Sequence, residues 1–162
     1  MSGQNRRMIT IRPFQPRDVE AVAALGARLS IGTAAWRDVE NICAAVEGWV
    51  ADAIDAAEHA PDRLMVAVDE TEAVVGFVGV EKRRHWSGAT DAYIGELVVA
   101  AEHENQGIGR ALVDAALRWA TVNGYERISV STGAVNTRAV GLYERLGFEP
   151  EDVTLTRAVK SC

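Results

Sequence analysis

Residues 92–114 read Ala-Tyr-Ile-Gly-Glu-Leu-Val-Val-Ala-Ala-Glu-His-Glu-Asn-Gln-Gly-Ile-Gly-Arg-Ala-Leu-Val-Asp. The first eight residues are rich in aromatic and β-branched side chains, which predicts a buried strand. A polar run follows at 102–106, and from Gly107 apolar residues recur every three or four positions, which predicts a helix. A strand therefore leads through a glycine-flanked turn into a helix. The exposed backbone N–H groups at such a helix start favour an anion.

The glycine pattern of this turn excludes two common phosphate-binding motifs. A dinucleotide fingerprint needs a third glycine at position 112, where this chain has Leu112. A Walker loop needs Gly-Lys-Ser/Thr, which the sequence lacks. A tight strand-to-helix turn that binds no ligand remains an alternative at this point.

A second stretch, residues 136–148, reads Asn-Thr-Arg-Ala-Val-Gly-Leu-Tyr-Glu-Arg-Leu-Gly-Phe. Together the two stretches resemble the GCN5-related N-acetyltransferase (GNAT) superfamily, whose members use acetyl-CoA. The first resembles the family's pyrophosphate loop, Arg/Gln-x-x-Gly-x-Gly/Ala, and the second its helix Asn-x-x-Ala-x-x-Leu-Tyr-x-x-x-Gly-Phe. The resemblance covers roughly residues 63–159. It implies an α/β fold with a mixed, mostly antiparallel sheet flanked by helices and a shortened C-terminal strand region.

The resemblance also implies a binding site for acetyl-CoA. The pantetheine arm would lie along the central strand and bond to the main chains of Leu97, Val98 and Val99. The pyrophosphate would lie on the loop and the helix start, and the second motif would complete the site. The remaining cofactor-binding residues are then Glu104, Asn105, Gln106, Gly107, Ile108, Gly109, Arg110, Asn136, Ala139 and Tyr143.

Glu104 departs from the family pattern, because the family has Arg or Gln at this position. A carboxylate close to a pyrophosphate would be repelled, so we hypothesise that Glu104 faces outward and that the loop binds through its backbone. Arg110 supports an anion site independently, because a cation in the first turn of a helix opposes the helix dipole. As an alternative, Arg110 is a solvated surface residue.

Two side chains are candidates for catalysis. By resemblance, Tyr143 lies beside the cofactor sulfur and protonates the departing thiolate; without the motif, a helix tyrosine is usually a packing residue. Glu96 lies on the central strand among apolar neighbours, so burial would raise its pKa toward the working range of a general base. A carboxylate that binds the cationic acceptor, or one that is only a structural partner on the sheet, is an equally good interpretation of Glu96.

Composition and charge limit the function classes. The chain has 162 residues, 48% hydrophobic and 25% charged, with a net charge of −6, which predicts one domain over 1–162, with 1–7 as a flexible leader. The acidic balance argues against nucleic-acid and anionic-membrane partners and suits a cationic amine. No apolar run approaches the ~20 residues of a membrane span, and no signal peptide is evident, so a cytoplasmic location is expected. The three histidines show no metal-ligand spacing, and no metal is expected.

Periodicity and turn residues predict the order of elements. We expect strands at 8–12, 64–68, 73–81, 92–99, 128–132 and 153–159, with a polar link at 82–91. Helices are expected from Pro16 to about 25 and at 38–60, 108–122 and 137–146. Trp49 is predicted to be in the core, and Trp36, His85 and Trp86 to lie where the family builds its acceptor pocket.

These features predict an N-acetyltransferase that transfers acetyl from acetyl-CoA directly to an amine, most simply a small molecule. A non-catalytic acyl-CoA-binding or sensing module is the alternative from another class. An acetyltransferase acting on a protein N-terminus or lysine is a further alternative. The sequence leaves a homodimer open.

Overall fold

Five strands form one sheet in the computed structural model, which describes residues 8–160. They are β1 (Thr10–Pro13), β2 (Leu64–Val68), β3 (Val74–Arg84), β4 (Thr90–Val99) and β5 (Ile128–Val130), in that spatial order. The first three pairings are antiparallel and the β4–β5 pairing is parallel. The expected mixed, mostly antiparallel sheet is confirmed, and the predicted leader at 1–7 lies outside the described residues.

Four α-helices flank the sheet: α1 (Val19–Gly26), α2 (Val39–His59), α3 (Ile108–Val122) and α4 (Thr137–Arg145). The side chain of Asp38 caps α2 by accepting a hydrogen bond from Asn41 N at 2.9 Å. Pro61 follows α2, as expected for a residue that cannot continue a helix. The predicted range of α3 agrees with the structure at both ends.

The core consists of two apolar clusters, one on each face of the sheet. On one face Phe77 and Val98 pack with α1 and α2, and on the other face Val78 and Ile94 pack with α3 and with Tyr143 of α4. All five residues of β2 are buried, because both of its faces are covered. Consecutive residues of β3 and β4 therefore point into different clusters.

The polar link predicted at 82–91 is wrong, because β3 and β4 continue through it as a hairpin. Backbone pairing extends to Arg84 opposite Thr90. The arms were missed because their side chains are mostly polar and exposed, whereas strand pairing itself needs only backbone groups. The guanidinium of Arg83 lies 3.3 Å from the centre of the Tyr93 ring, which orders this part of the hairpin.

The last predicted strand, 153–159, is also wrong. Residues 151–158 have no regular secondary structure, and Val153, Leu155 and Val159 are 77%, 90% and 99% exposed. Their alternation is typical of a strand, but a strand also needs a partner. Within the described residues β5 forms the last position of the sheet and pairs only with β4.

The predicted core position of Trp49 is wrong, since its side chain is 53% exposed. The fully buried residues of α2 are Val46, Val50 and Ala57, which share one face. Trp49 lies about 100° from Val50 around the helix axis, at the flank of that face. Trp36 and Trp86 are exposed as well, at 69% and 83%.

A partly buried ion pair connects β1 to the start of α1. Arg12 donates two hydrogen bonds to the Asp18 carboxylate, at 2.8 and 3.0 Å, and Gln15 N donates a third at 2.8 Å. Asp18 is only 3% exposed. Burial alone would raise the pKa of Asp18, but the hydrogen bonds from Arg12 and Gln15 outweigh it and hold the pKa below its usual value.

We expect Asp18→Asn to lower the free energy of unfolding by about 2 kcal/mol, because the partly buried Arg12 guanidinium loses two charge-assisted hydrogen bonds and keeps only the exposed Glu72 carboxylate, 3.7 Å from its Nε. Since the folded-state pKa of Asp18 is depressed, the wild-type advantage is complete above the unfolded pKa and is lost as pH falls through the folded one. Urea unfolding between pH 2.5 and 7 measures both effects. Asp55→Asn, on the exposed side of α2, is the control; an equal loss in both variants would contradict the prediction.

Candidate functional site

The strands β4 and β5 diverge after three residue pairs, which end at Ile94 and Val130. Beyond Ile94 no strand of the described chain pairs with this edge of β4. A cavity of about 440 Å³ lies at the divergence, between α3 and α4. An edge of unpaired backbone groups beside a cavity is suited to a ligand that can pair with it as an added strand.

Most of the predicted cofactor-binding residues surround this one cavity. Gln106 is the exception: it is exposed, and its side-chain amide donates to the Glu102 carbonyl at 3.4 Å. The predicted residues that line the cavity are Leu97, Val98, Val99, Glu104, Asn105, Gly107, Ile108, Gly109, Arg110, Asn136, Ala139 and Tyr143.

The loop that opens α3 contains two residues in the left-handed region. Asn105 has φ 60° and Gly107, the residue before the helix, has φ 81°. This backbone shape brings the free N–H groups of the first turn of α3 to the cavity. On the opposite wall, the side chain of Asn136 caps α4 by accepting from Ala139 N at 3.2 Å, as its position before a helix favours.

The hypothesis that Glu104 faces outward is wrong. Its Oε1 accepts from Arg28 and its Oε2 from Arg138, each at 2.5 Å. The side chain is 28% exposed and lies in the cavity wall. Charge-assisted hydrogen bonds from the two guanidinium groups hold the carboxylate at the cavity wall.

Sequence reasoning missed several residues of the cavity wall. Arg28 comes from a short 3₁₀ turn after α1, and its Nε donates to the Val99 carbonyl at 2.9 Å. No local pattern reveals this contact, because it joins positions 71 residues apart. Arg138 lies within the second motif. Its position there could have indicated that it lines the cavity. The other missed residues are Ile31, His103, Leu142 and Arg145.

Glu96 lies on β4 next to the cavity residue Leu97, on the face that Val98 shares with α1 and α2. It pairs with Gly79 of β3, where a Cβ atom would come within 2.1 Å of Glu96 Oε2. The missing side chain at Gly79 therefore makes room for the carboxylate. Burial, with added repulsion from Glu81 and Asp52, raises the pKa of Glu96 to about 7.

Tyr143 packs within the α3-side cluster and is 7% exposed, and it lines the cavity. Its ring contacts Phe148 edge-on, with centroids 5.4 Å apart. Burial raises the pKa of the Tyr143 phenol, and Tyr93 raises it further. The hydroxyl is consequently protonated throughout the physiological pH range and can serve as a proton donor.

Two chain connections touch beside the cavity. A Cβ atom at Gly133, in the β5–α4 connection, would lie 2.0 Å from the carbonyl oxygen of Gly32, in the α1–α2 connection. A Cβ atom at Gly32 would in turn meet Asn136 at 2.4 Å. Only glycine at these positions allows the two connections to come so close.

A sequence model of the Acetyltransferase (GNAT) family matches residues 29–148, which include both motifs and the whole cavity loop. The chain belongs to this acetyltransferase family. The resemblance inferred from the motifs is thereby confirmed.

Individual relatives share part of their length with this GNAT chain. Mycothiol acetyltransferase of Jonesia denitrificans is 38% identical over 92 residues, which are 56% of this chain and 28% of that protein. The mycothiol acetyltransferase of Pseudarthrobacter chlorophenolicus is 29% identical over 146 residues, or 90% of this chain and 44% of that protein. The chain thus spans less than half of the length of these relatives.

Solved structures show the same fold. A putative acetyl transferase from Pyrococcus furiosus superposes with a TM-score of 0.72 at 19% identity, over 94% of this chain and 100% of that one.

Within residues 8–160, no helix is long and apolar enough to cross a membrane. The same residues contain no group of three or more His, Cys, Asp or Glu side chains placed to hold a metal ion.

We expect Glu96→Gln to stabilise the protein at high pH. Because the pKa of Glu96 is raised in the folded state, the fold favours the protonated carboxyl, and wild-type stability is lost as pH rises from the unfolded pKa through about 7. At pH 8 the variant should be more stable by ~3 kcal/mol, and at pH 4 the two should be nearly equal. Denaturant unfolding at both pH values measures this, with the exposed Glu47→Gln as control. An advantage that does not change with pH would refute the raised pKa.

Proposed function

We propose that this chain is an acetyl-CoA-dependent N-acetyltransferase that passes the acetyl group directly to an amine. The observation that carries the proposal is the composition of the groove. An unpaired strand edge, a glycine-containing anion loop and a buried tyrosine line one cavity of about 440 Å³. These parts match the three regions of acetyl-CoA: a peptide-like arm, a pyrophosphate and a thioester.

In this proposal the pantetheine arm pairs with the main chain of β4 at Leu97, Val98 and Val99. The pyrophosphate lies on the loop before α3, where backbone N–H groups and the helix dipole favour an anion. Membership of the acetyltransferase family supports this cofactor. So does the fold shared with an aminoglycoside N-acetyltransferase solved in complex with CoA, with a TM-score of 0.70 at 18% identity over 99% of this chain and 100% of that one.

The two candidate catalytic residues approach β4 from different sides. Glu96 shares its face of the strand with Val98 in the α1–α2 cluster, whereas Tyr143 belongs to the α3 cluster. Glu96 would take a proton from the ammonium group of the acceptor, directly or through water. The amine nitrogen would bond to the thioester carbon, the C–S bond would break, and Tyr143 would give its proton to the thiolate.

The acceptor in this proposal is a small cationic amine. Glu96 is close enough to Glu81 and Asp52 for both to raise its pKa, so the acceptor side of β4 carries several carboxylates. Mycothiol acetyltransferase and aminoglycoside N-acetyltransferase have small acceptors in their names, whereas two structural neighbours were solved with peptide ligands, the NatC complex with Gag peptide and Arabidopsis thaliana Naa50 with a bisubstrate analogue. The carboxylates around Glu96 are therefore the observation that favours a small cationic amine. Glu81 and Asp52 would attract the ammonium group, and Glu96 would deprotonate it.

A non-catalytic acyl-CoA-binding module is the second candidate, and Glu104 is the observation that favours it. A carboxylate where the family motif has Arg or Gln would weaken the binding of a phosphate. Arg28 and Arg138 offset this charge, which favours cofactor binding; a measurement of acetyl transfer separates the binding module from the enzyme.

The first experiment measures binding and turnover in the same preparation. Calorimetric titration should show micromolar binding of acetyl-CoA, and a panel of diamines, aminoglycosides and short peptides should reveal acetyl transfer to the small amines. Tyr143→Phe should retain binding while kcat falls by about 10²-fold, because the thiolate loses its proton donor.

Tyr125→Phe is the matched control, since Tyr125 stacks on Trp119 at 5.6 Å and does not line the cavity. It should leave kcat unchanged. Binding without transfer to any amine would favour the non-catalytic module, and an unchanged kcat in Tyr143→Phe would remove that residue from the mechanism.

A methyl group at position 79 should displace the proposed base without removing it. The Cβ of Gly79→Ala would collide with the end of the Glu96 side chain, which can move, so the fold should persist while kcat falls by roughly 10- to 100-fold. Gly48→Ala, where a Cβ meets nothing within 4 Å, is the control.

The pH profile tests the base directly. The rise of kcat/KM with pH near 7 should disappear in Glu96→Gln; a retained rise would show that another group is the base.

A further inference from the structure

The residue Glu104 links two walls of the groove. Arg28 belongs to the 3₁₀ turn after α1, and Arg138 to the first turn of α4. Each donates to a different oxygen of the Glu104 carboxylate at 2.5 Å. One acidic residue therefore holds two arginines that are far apart in sequence and that both line the cavity.

The same network fixes the loop. Arg138 also donates from Nη2 to Asn105 Oδ1 at 3.1 Å, and Asn105 is the residue with φ 60°. Arg28 also donates from Nε to the Val99 carbonyl at 2.9 Å, at the end of β4. The four side chains thus connect the strand end, the loop and α4, and they support the left-handed conformation that Asn105 needs.

The charge balance around the cavity remains positive. Four arginines line it, whereas Glu104 is the one carboxylate in the lining. A guanidinium has five N–H donors, and each of the two clamped arginines uses one on Glu104. Both keep donors for an anion while their orientation is fixed, and an ordered guanidinium loses less conformational entropy on binding than a free one.

We propose that Glu104 is a positioning residue for the phosphates of acyl-CoA: it holds Arg28 and Arg138 toward them, in place of the arginine or glutamine that the family motif has at this position. This inference rests on the proposed cofactor. The opposing view treats Glu104 as a plain negative charge that repels the phosphates. The two views predict opposite signs for the same substitution.

The test is calorimetric titration of acetyl-CoA into Glu104→Arg and Glu104→Asp. Glu104→Arg restores the cation of the family motif but repels Arg28 and Arg138, so the affinity should fall by about tenfold. Glu104→Asp keeps the charge but is too short to reach both arginines, and it should weaken binding by about fivefold. A tighter complex with Glu104→Arg, or an unchanged one with Glu104→Asp, would overturn the proposal.

Three controls make the result specific. Glu102→Gln removes a charge from an exposed side chain of the same loop and should leave the affinity within about twofold of wild type.

The double variant tests the network itself. In an Arg138→Gln background, Glu104→Asp should weaken acetyl-CoA binding less than it does in the wild-type background, because the arginine that Glu104 orients is absent. Equal losses of affinity in the two backgrounds would contradict the network. Acetyl-pantetheine, a donor without the nucleotide phosphates, should bind all variants alike; an equal loss for this donor would show that Glu104 acts on the fold instead.

Wild-type protein that fails to bind acetyl-CoA would refute the proposed cofactor itself, which is an outcome distinct from any change among the variants. Thermal unfolding of each variant should stay close to wild type, since the network is partly exposed. If Glu104→Arg does not fold, the Glu104→Asp arm alone decides between positioning and repulsion.

Discussion

The early end of the parallel pairing between β4 and β5 is the constraint on which the rest of the site depends. The two strands share three residue pairs and then separate, which leaves a backbone edge that would be costly to bury without a partner. The helices that follow each strand, α3 and α4, begin on either side of the gap. Beyond Ile94 the edge of β4 has no partner strand, and a peptide-like ligand can pair with it. The binding capacity of this fold therefore comes from an incomplete sheet.

A second irregularity places the carboxylate. The register between β3 and β4 shifts between Gly79 and Val80, and the glycine lies opposite Glu96. Burial of a carboxylate opposes its ionisation, and the strand neighbours do not neutralise it, which is why its pKa lies near neutrality. The proposed site thus combines a groove, which forms where β4 and β5 separate, with a buried carboxyl group that fits because Gly79 has no side chain.

Local patterns in the sequence predicted the helices and the fold family well. The bounds of α3 follow from helical spacing and a glycine before the helix, and the two motifs identify the family. Local pattern failed where a distant partner decides the outcome. Residues 153–159 alternate like a strand but pair with nothing in the described chain, and Trp49 lies beside the buried face of its helix. The inward orientation of Glu104 could not be predicted, because one of its two partners, Arg28, is 76 residues away.

The close approach of Glu96 to Gly79 has an evolutionary consequence. A side chain at position 79 can be accommodated only if the carboxylate at 96 moves or becomes shorter. Among relatives that keep the same register, the two positions should therefore change together: glycine at 79 wherever a glutamate occupies 96, and larger residues at 79 only where 96 is small. A glycine that binds nothing would then be retained as strictly as the carboxylate it accommodates, and its replacement would mark those lineages in which the proposed base has been lost.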